Sequence, residues 1–163
     1  MNRPVLTVAL VAAVTLLSAC SSVADRVGQV QQEAGKALLP QIAIGECTNL
    51  EFPEGTDSSA TTSVAEIEKV DCAQPHKWET FAEKQLPLAD EYPGDSGMSV
   101  LADDFCAGEF EGFVGTAYDN SEIELTYLTP TAEGWSQLRD RTVTCLVGSD
   151  AGDITGTLKG TQR

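Results

Sequence analysis

The first twenty residues decide which chemistry is open to everything after them. A short N-terminus with one positive charge, Arg3, precedes an apolar run from Val5 to Leu17, and small residues lead up to Cys20. A basic start, an apolar stretch of this length and small residues before a cut site make an export signal. The run is too short for a membrane span, which needs about 20 apolar residues. An exported chain folds where disulfides form and persist. Beyond Cys20 lie Cys47, Cys72, Cys106 and Cys145, an even number in a small domain, which reads as two disulfides. Four cysteines allow three connectivities, and spacing alone does not choose among them. We prefer Cys47–Cys72 with Cys106–Cys145, because each bridge then ties one half of the domain to itself. Closing each loop is worth ~3–4 kcal/mol on the chain-entropy account. A zinc site would require thiolates at close spacing, and the sequence has no Cys-x-x-Cys.

Leu17-Ser18-Ala19-Cys20 resembles the lipobox of bacterial lipoproteins. That resemblance implies cleavage before Cys20, diacylglycerol on its thiol, often acylation of the new N-terminus, and attachment to the outer face of the cytoplasmic membrane. Residues 1–19 are then the signal peptide, 20–40 a lipidated tether and 41–163 one folded domain. Within the tether, Val23, Val27, Val30, Ala34 and Leu38 draw a thin apolar stripe at helical spacing. Gly28 and Gly35 weaken that helix and Pro40 stops it. Charge supports a lipid anchor over a protein one. The chain holds 25 acidic against 10 basic residues, a formal net charge of −15, so anionic headgroups would repel it. Two acyl chains supply the attachment instead, at ~0.8 kcal/mol per buried methylene. Nucleic acid is not an expected partner, because binding it means neutralising phosphates with Lys and Arg.

Along the domain, Ile42 to Phe52 reads as a strand that enters a turn at Pro53-Glu54-Gly55. Thr56 to Ser63 has no large apolar residue and reads as a loop, a possible place for glycosylation. Val64 to Cys72 alternates, and Trp78 to Leu86 is expected to pair with it. A turn-rich connection, 89–97, ends where Asp95 or Ser96 would cap a helix. Met98, Leu101, Phe105, Cys106, Phe110 and Phe113 then place an apolar stripe along that helix, with Cys106 on it. Glu122 to Leu128 and Arg141 to Val147 alternate as strands, Pro130 to Leu138 is a short helical segment, and Ile154 to Lys159 closes as a strand. The expectation is α+β: a small, mostly antiparallel sheet covered by one main helix, with two disulfides.

Several blocks carry a family resemblance. Gly45-Glu46-Cys47, then Val70-Asp71-Cys72-Ala73-Gln74-Pro75-His76-Lys77-Trp78-Glu79, resemble the Gly-Asp-Cys and Val-x-Cys-x-x-Pro-His-x-x-Glu blocks of the septum-formation domain. That domain is known mainly from envelope proteins of actinobacteria. Phe105-Cys106 with Phe113-Val114-Gly115, Tyr127-x-x-Pro130-Thr131 with Trp135, Asp140 to Cys145, and Thr155 to Gly160 continue the likeness. It covers about residues 43–160. Two positions depart from the family pattern: Arg139 stands where Gly is common, and Thr157 where Ser is common. The resemblance implies a part in septation or envelope growth without a known reaction or ligand. It also implies that the four domain cysteines are structural, and that His76 and Glu79 form a characteristic surface pair. Trp78, Trp135 and Arg141 are further candidates for a binding surface.

His76 is the only histidine and so the natural general acid or base. Glu79, three residues on, could hydrogen-bond its imidazole, which also describes a turn histidine held by a carboxylate. Asp103, Asp104, Glu109, Glu111, Glu122 and Glu124 could supply a carboxylate pair of the glycosidase kind, although on so acidic a chain a solvated face is the simpler account. Asp150 and Asp153 lack the spacing of a calcium loop, and no nucleophile elbow or phosphate-binding Gly loop occurs. We expect a non-enzymatic lipoprotein without cofactor or metal. It would be anchored to the membrane through Cys20 and would contact an envelope protein or cell-wall component. The alternatives are a cell-wall hydrolase using His76 or a carboxylate pair, and a passive spacer.

Overall fold

The computed structural model describes residues 42–52, 67–88, 91–149 and 151–163. The signal, the tether, the turn at 53–55, the Ser/Thr-rich segment and Asp150 lie outside the described residues. Five strands form one antiparallel sheet: β1 (Cys47–Thr48), β2 (Lys69–Val70), β3 (Trp78–Gln85), β4 (Glu124–Leu128) and β5 (Thr142–Gly148). Their order is β2-β1-β3-β5-β4. One long helix, α1 (Asp95–Val114), joins β3 to β4 and covers one face. The architecture is the expected α+β arrangement. Both preferred disulfides are present, Cys47–Cys72 and Cys106–Cys145, and the second staples α1 to β5 through the core. No helix among the described residues is long and apolar enough to cross a membrane.

The first two strands are much shorter than their sequence patterns suggested, and β3 pairs with β1 and β5 rather than with β2. β3 is itself irregular. Its pairing with β5 slips between Thr80 and Ala82, leaving Phe81 as the extra residue of a β-bulge. Directly opposed residues of an antiparallel pair share a face. Glu79 opposite Val147, Ala82 opposite Cys145 and Lys84 opposite Val143 therefore all face α1. Trp78, Thr80, Glu83 and Gln85 take the other face. The bulge explains why Trp78–Leu86 shows no clean alternation: one added residue inverts the pattern half-way along. Phe81 is thereby placed against α1, with its ring 6.4 Å from Phe110 and 5.5 Å from Phe113.

Helix α1 buries Met98, Ala102, Cys106, Phe110 and Val114, one residue every four, so the contact stripe is narrow. Leu101, expected on that stripe, stands out in solvent instead. Neither Asp95 nor Ser96 caps the helix. The cap position is Gly94, and the Asp95 side chain accepts the Tyr92 hydroxyl at 2.8 Å. At the other end Gly115 turns left-handed at φ 90°, the conformation glycine adopts without penalty. The free carbonyls there are taken up by the C-terminal segment: Gly160 N donates to Phe113 O at 2.8 Å and Gln162 N to Val114 O at 2.9 Å. That segment is not the expected strand. It forms one isolated bridge, His76 with Ile154, just before β3, and then runs as a strap past Glu79 of β3 and onto α1.

The second face of the sheet is also buried at its centre. Trp78 lies edge-on to Phe52, with 5.5 Å between ring centroids, and its indole N–H donates to Leu50 O at 3.0 Å. The chain crosses so closely here that a Cβ on Gly148 would sit 1.8 Å from Lys77 O. No side chain fits at that distance. Gly148→Ala is therefore expected to destabilise the domain by at least ~3 kcal/mol, read as a lower midpoint in chemical denaturation. A midpoint within the error of the native protein would contradict the close approach.

Candidate functional site

The residues that carry the family likeness converge on two places, and both face inward. The first is built on the turn before β3. Asp71 organises that turn, accepting Ala73 N on Oδ1 at 2.9 Å and Gln74 N on its carbonyl at 2.8 Å. Pro75 then delivers His76 into its bridge with the strap, where His76 N donates to Ile154 O at 2.9 Å. The imidazole is completely buried, at 0% exposure. Its Nδ1 lies 2.9 Å from Gln74 O. A carbonyl only accepts, so Nδ1 carries the proton. Nε2 is enclosed and has no hydrogen-bond partner among the described residues.

Glu79 sits three residues on, also buried, at 3% exposure. It does not hold the imidazole. Oε1 accepts the Thr157 hydroxyl and Oε2 accepts Leu158 N, both at 2.7 Å. Thr157 Oγ1 in turn accepts Lys159 N at 3.1 Å, and Leu158 is driven into the core. The carboxylate is thus a clasp for the strap. His76 and Glu79 are neither a surface pair nor bonded to each other. Each is committed separately to the same C-terminal segment, which Gly156 also anchors through its N–H to Cys72 O at 2.7 Å.

The second place lies at the opposite end of β5. After Pro130, residues 132–138 form the expected short helical turn, and Gly134 is seated where a Cβ would press on Thr131 and Asp140. Arg141 lays its guanidinium over the Trp135 ring, 3.4 Å from the centroid. It also donates to Trp135 O at 2.9 Å and to Asp140 O at 2.7 Å. Such stacking is worth ~2 kcal/mol when desolvated. Tyr92 meets the same indole edge-on at 5.7 Å. Burial, then its bond to Asp95 and the charge there, push the Tyr92 hydroxyl up to about 12. Burial also raises the Asp140 carboxyl above its ordinary value, against the lowering effect of Thr142 N. Arg139 adopts φ 54°, a left-handed conformation that suits the glycine common in the family. The departure is accommodated with the turn intact.

All five residues expected at a binding surface, His76, Trp78, Glu79, Trp135 and Arg141, are therefore buried. For Glu79 and Trp78 sequence spacing could not show this, because their partners lie far along the chain, Leu158 79 positions and Leu50 28 positions away; Arg141 and Trp135 instead bury each other locally, six residues apart. The carboxylates considered as an acid pair divide between α1 (Asp103, Asp104, Glu109, Glu111) and the β4 region, where Glu122 pairs with Arg163 at 3.1 Å. Among the described residues no cluster of His, Cys, Asp or Glu could hold a metal ion.

A family model described as septum formation matches residues 45–162. The chain belongs to the septum formation family. No curated protein and no solved structure matches it. The matched span runs from Gly45, whose N–H binds Thr80 O, to Gln162, which caps α1. The septum formation domain thus coincides with the disulfide-stapled unit, the strap included.

Two outcomes follow from the clasp and the indole stack. Glu79→Gln sets an amide N–H₂ against a donor and should cost about 2–3 kcal/mol, whereas Thr157→Ser, which keeps the hydroxyl, should stay within ~0.5 kcal/mol. Denaturation of both variants checks this, and equal costs would contradict it. Tyr92 binds its proton more tightly folded than unfolded. Its contribution is therefore complete below pH 10.0 and is lost as pH rises towards about 12. Tyr92→Phe should flatten the fall in stability across that window, and an unchanged slope would contradict the assignment.

Proposed function

We propose that the septum formation domain of this chain is held outside the cytoplasmic membrane by lipid on Cys20 and acts by contact, not catalysis. Its target would be an envelope protein or cell-wall component used in division or envelope maintenance. The observation that carries this reading is the position of the only histidine. A general acid or base must reach substrate, and the His76 ring is enclosed, with Nδ1 held by Gln74 O. His76 and Glu79 hold the strap, while the carboxylates of α1 stand apart on its solvent side. The lipobox, the two disulfides and the family's division-related description point to one compartment. The tether would then let the domain reach across the envelope from a fixed anchor.

Intact-mass measurement of the protein purified from membranes, before and after reduction, tests the anchor and framework together. The expected mass begins at Cys20, carries diacylglycerol and acyl additions, and shows no free thiol until reduction. An unprocessed mass with reduced cysteines would overturn the proposal. Incubation of the same protein with purified cell wall should release no soluble fragments, and release that is lost in a His76 variant retaining the native folded fraction would favour the hydrolase instead.

A further inference from the structure

The two disulfides are placed very differently. Cys106 and Cys145 are both 0% exposed and lie within the apolar cluster between α1 and the sheet. Cys47 is equally buried, but neither it nor Cys72 belongs to that cluster. Cys72 is partly exposed, and its Sγ stands 3.5 Å from Gly45 O in an exposed position. The segment that this bridge secures has little else to hold it. β2 lies at the sheet edge and pairs with β1 at two positions only, Cys47 with Val70 and Thr48 with Lys69. Thr48 Oγ1 donates to Glu68 O at 2.7 Å, and Lys69 meets Glu46 in an ion pair open to water, which screens it. After β2, the turn from Cys72 to His76 holds the start of the strap: Cys72 O accepts Gly156 N, and Ile154 O accepts His76 N. The same turn supplies Gln74 O to the buried imidazole. The bridge that secures it is thus the one a thiol can reach.

We propose that Cys47–Cys72 is a thiol-exchange site for an exported dithiol protein, and that opening it releases the turn that buries His76. A thiolate of the partner attacks the accessible Cys72 Sγ and forms a mixed disulfide; Cys47 leaves as thiolate and takes a proton from water. The partner's second thiol, its proton given to solvent, attacks that mixed disulfide and frees Cys72, which is protonated in turn. Two electrons pass to the domain, which gains two thiols, and the partner is left as a disulfide. Cys106–Cys145 takes no part, because neither of its residues meets solvent. It keeps α1 on β5, and the Glu79 clasp on Thr157 and Leu158 also survives, since it springs from β3. The opened stretch is therefore local: residues 69–76 with 154–156. Its new feature is an imidazole whose Nε2 meets solvent. The device goes beyond the contact reading, which requires no opening of the domain.

The test treats the full chain, purified from membranes, with dithiothreitol in native buffer. Thiols are then alkylated, and the single histidine is probed with diethyl pyrocarbonate, which acylates an accessible unprotonated imidazole nitrogen. Cys47 and Cys72 should be alkylated about tenfold sooner than Cys106 and Cys145, with the circular dichroism of the helix retained. His76 should be acylated only after that step. Amide exchange should quicken about tenfold at His76 and Gly156 and stay unchanged at Leu158. A thioredoxin with its second active cysteine replaced by serine should be trapped on Cys72 and not on Cys47. Cys47→Ser with Cys72→Ser should leave His76 reactive without reductant. Opening of both bridges together, or only with loss of the helix signal, would overturn the site, as would trapping on Cys47 or on neither cysteine. A His76 that stays unreactive with Cys47–Cys72 open would overturn the release of the turn.

Discussion

The carboxylate of Glu79 is where the two ends of the domain are joined. It projects from the first turn of the longest strand toward α1, and each oxygen accepts one donor from the C-terminal strap. Through that clasp Leu158 enters the core and the strap reaches the end of α1, where Gly160 and Gln162 satisfy two of its last carbonyls. A buried carboxylate is costly unless its hydrogen bonds are made. Having been made, they fix Thr157 and Leu158 at the middle of the strap. The disulfide from Cys106 to Cys145 then locks the helix so capped onto the strand beside β3.

This arrangement separates the residues that mark the family from those that can meet a partner. His76, Glu79, Trp78, Trp135 and Arg141 are all spent on holding loops to the sheet. A Trp–Arg stack at one end of β5 and a clasped strap at the other secure the irregular segments that a five-stranded sheet leaves open. The exposed side of α1, the longest regular element among the described residues, carries acidic residues and no lysine or arginine.

Much of this was legible beforehand, for identifiable reasons. The even cysteine count and the idea of tying each half to itself led to the observed bridges. The alternation of Val143, Cys145 and Val147 and of Leu125 and Tyr127 reflects uninterrupted antiparallel pairing between β4 and β5. The failures cluster where long-range contacts override local pattern. Phe81 inverts the alternation of β3 through a bulge. Leu101 follows an apolar pattern yet faces water, because the buried stripe of α1 steps strictly by four. The strap reads as a strand by composition but gives its donors to a carboxylate and a helix end. The histidine signature suggested a surface because polar residues usually lie there. Nothing local in the sequence told that Gln74 O and the strap would enclose it.

The account turns on these signature residues being framework and not chemistry. The direct measurement is to compare, for a series of conservative substitutions at His76, Glu79, Trp135 and Arg141, the folded fraction of each protein with its ability to restore normal septa in depleted cells. If the residues are framework, restoration follows the folded fraction along one curve. A variant that is fully folded yet restores nothing would contradict the account and return these side chains to an active site.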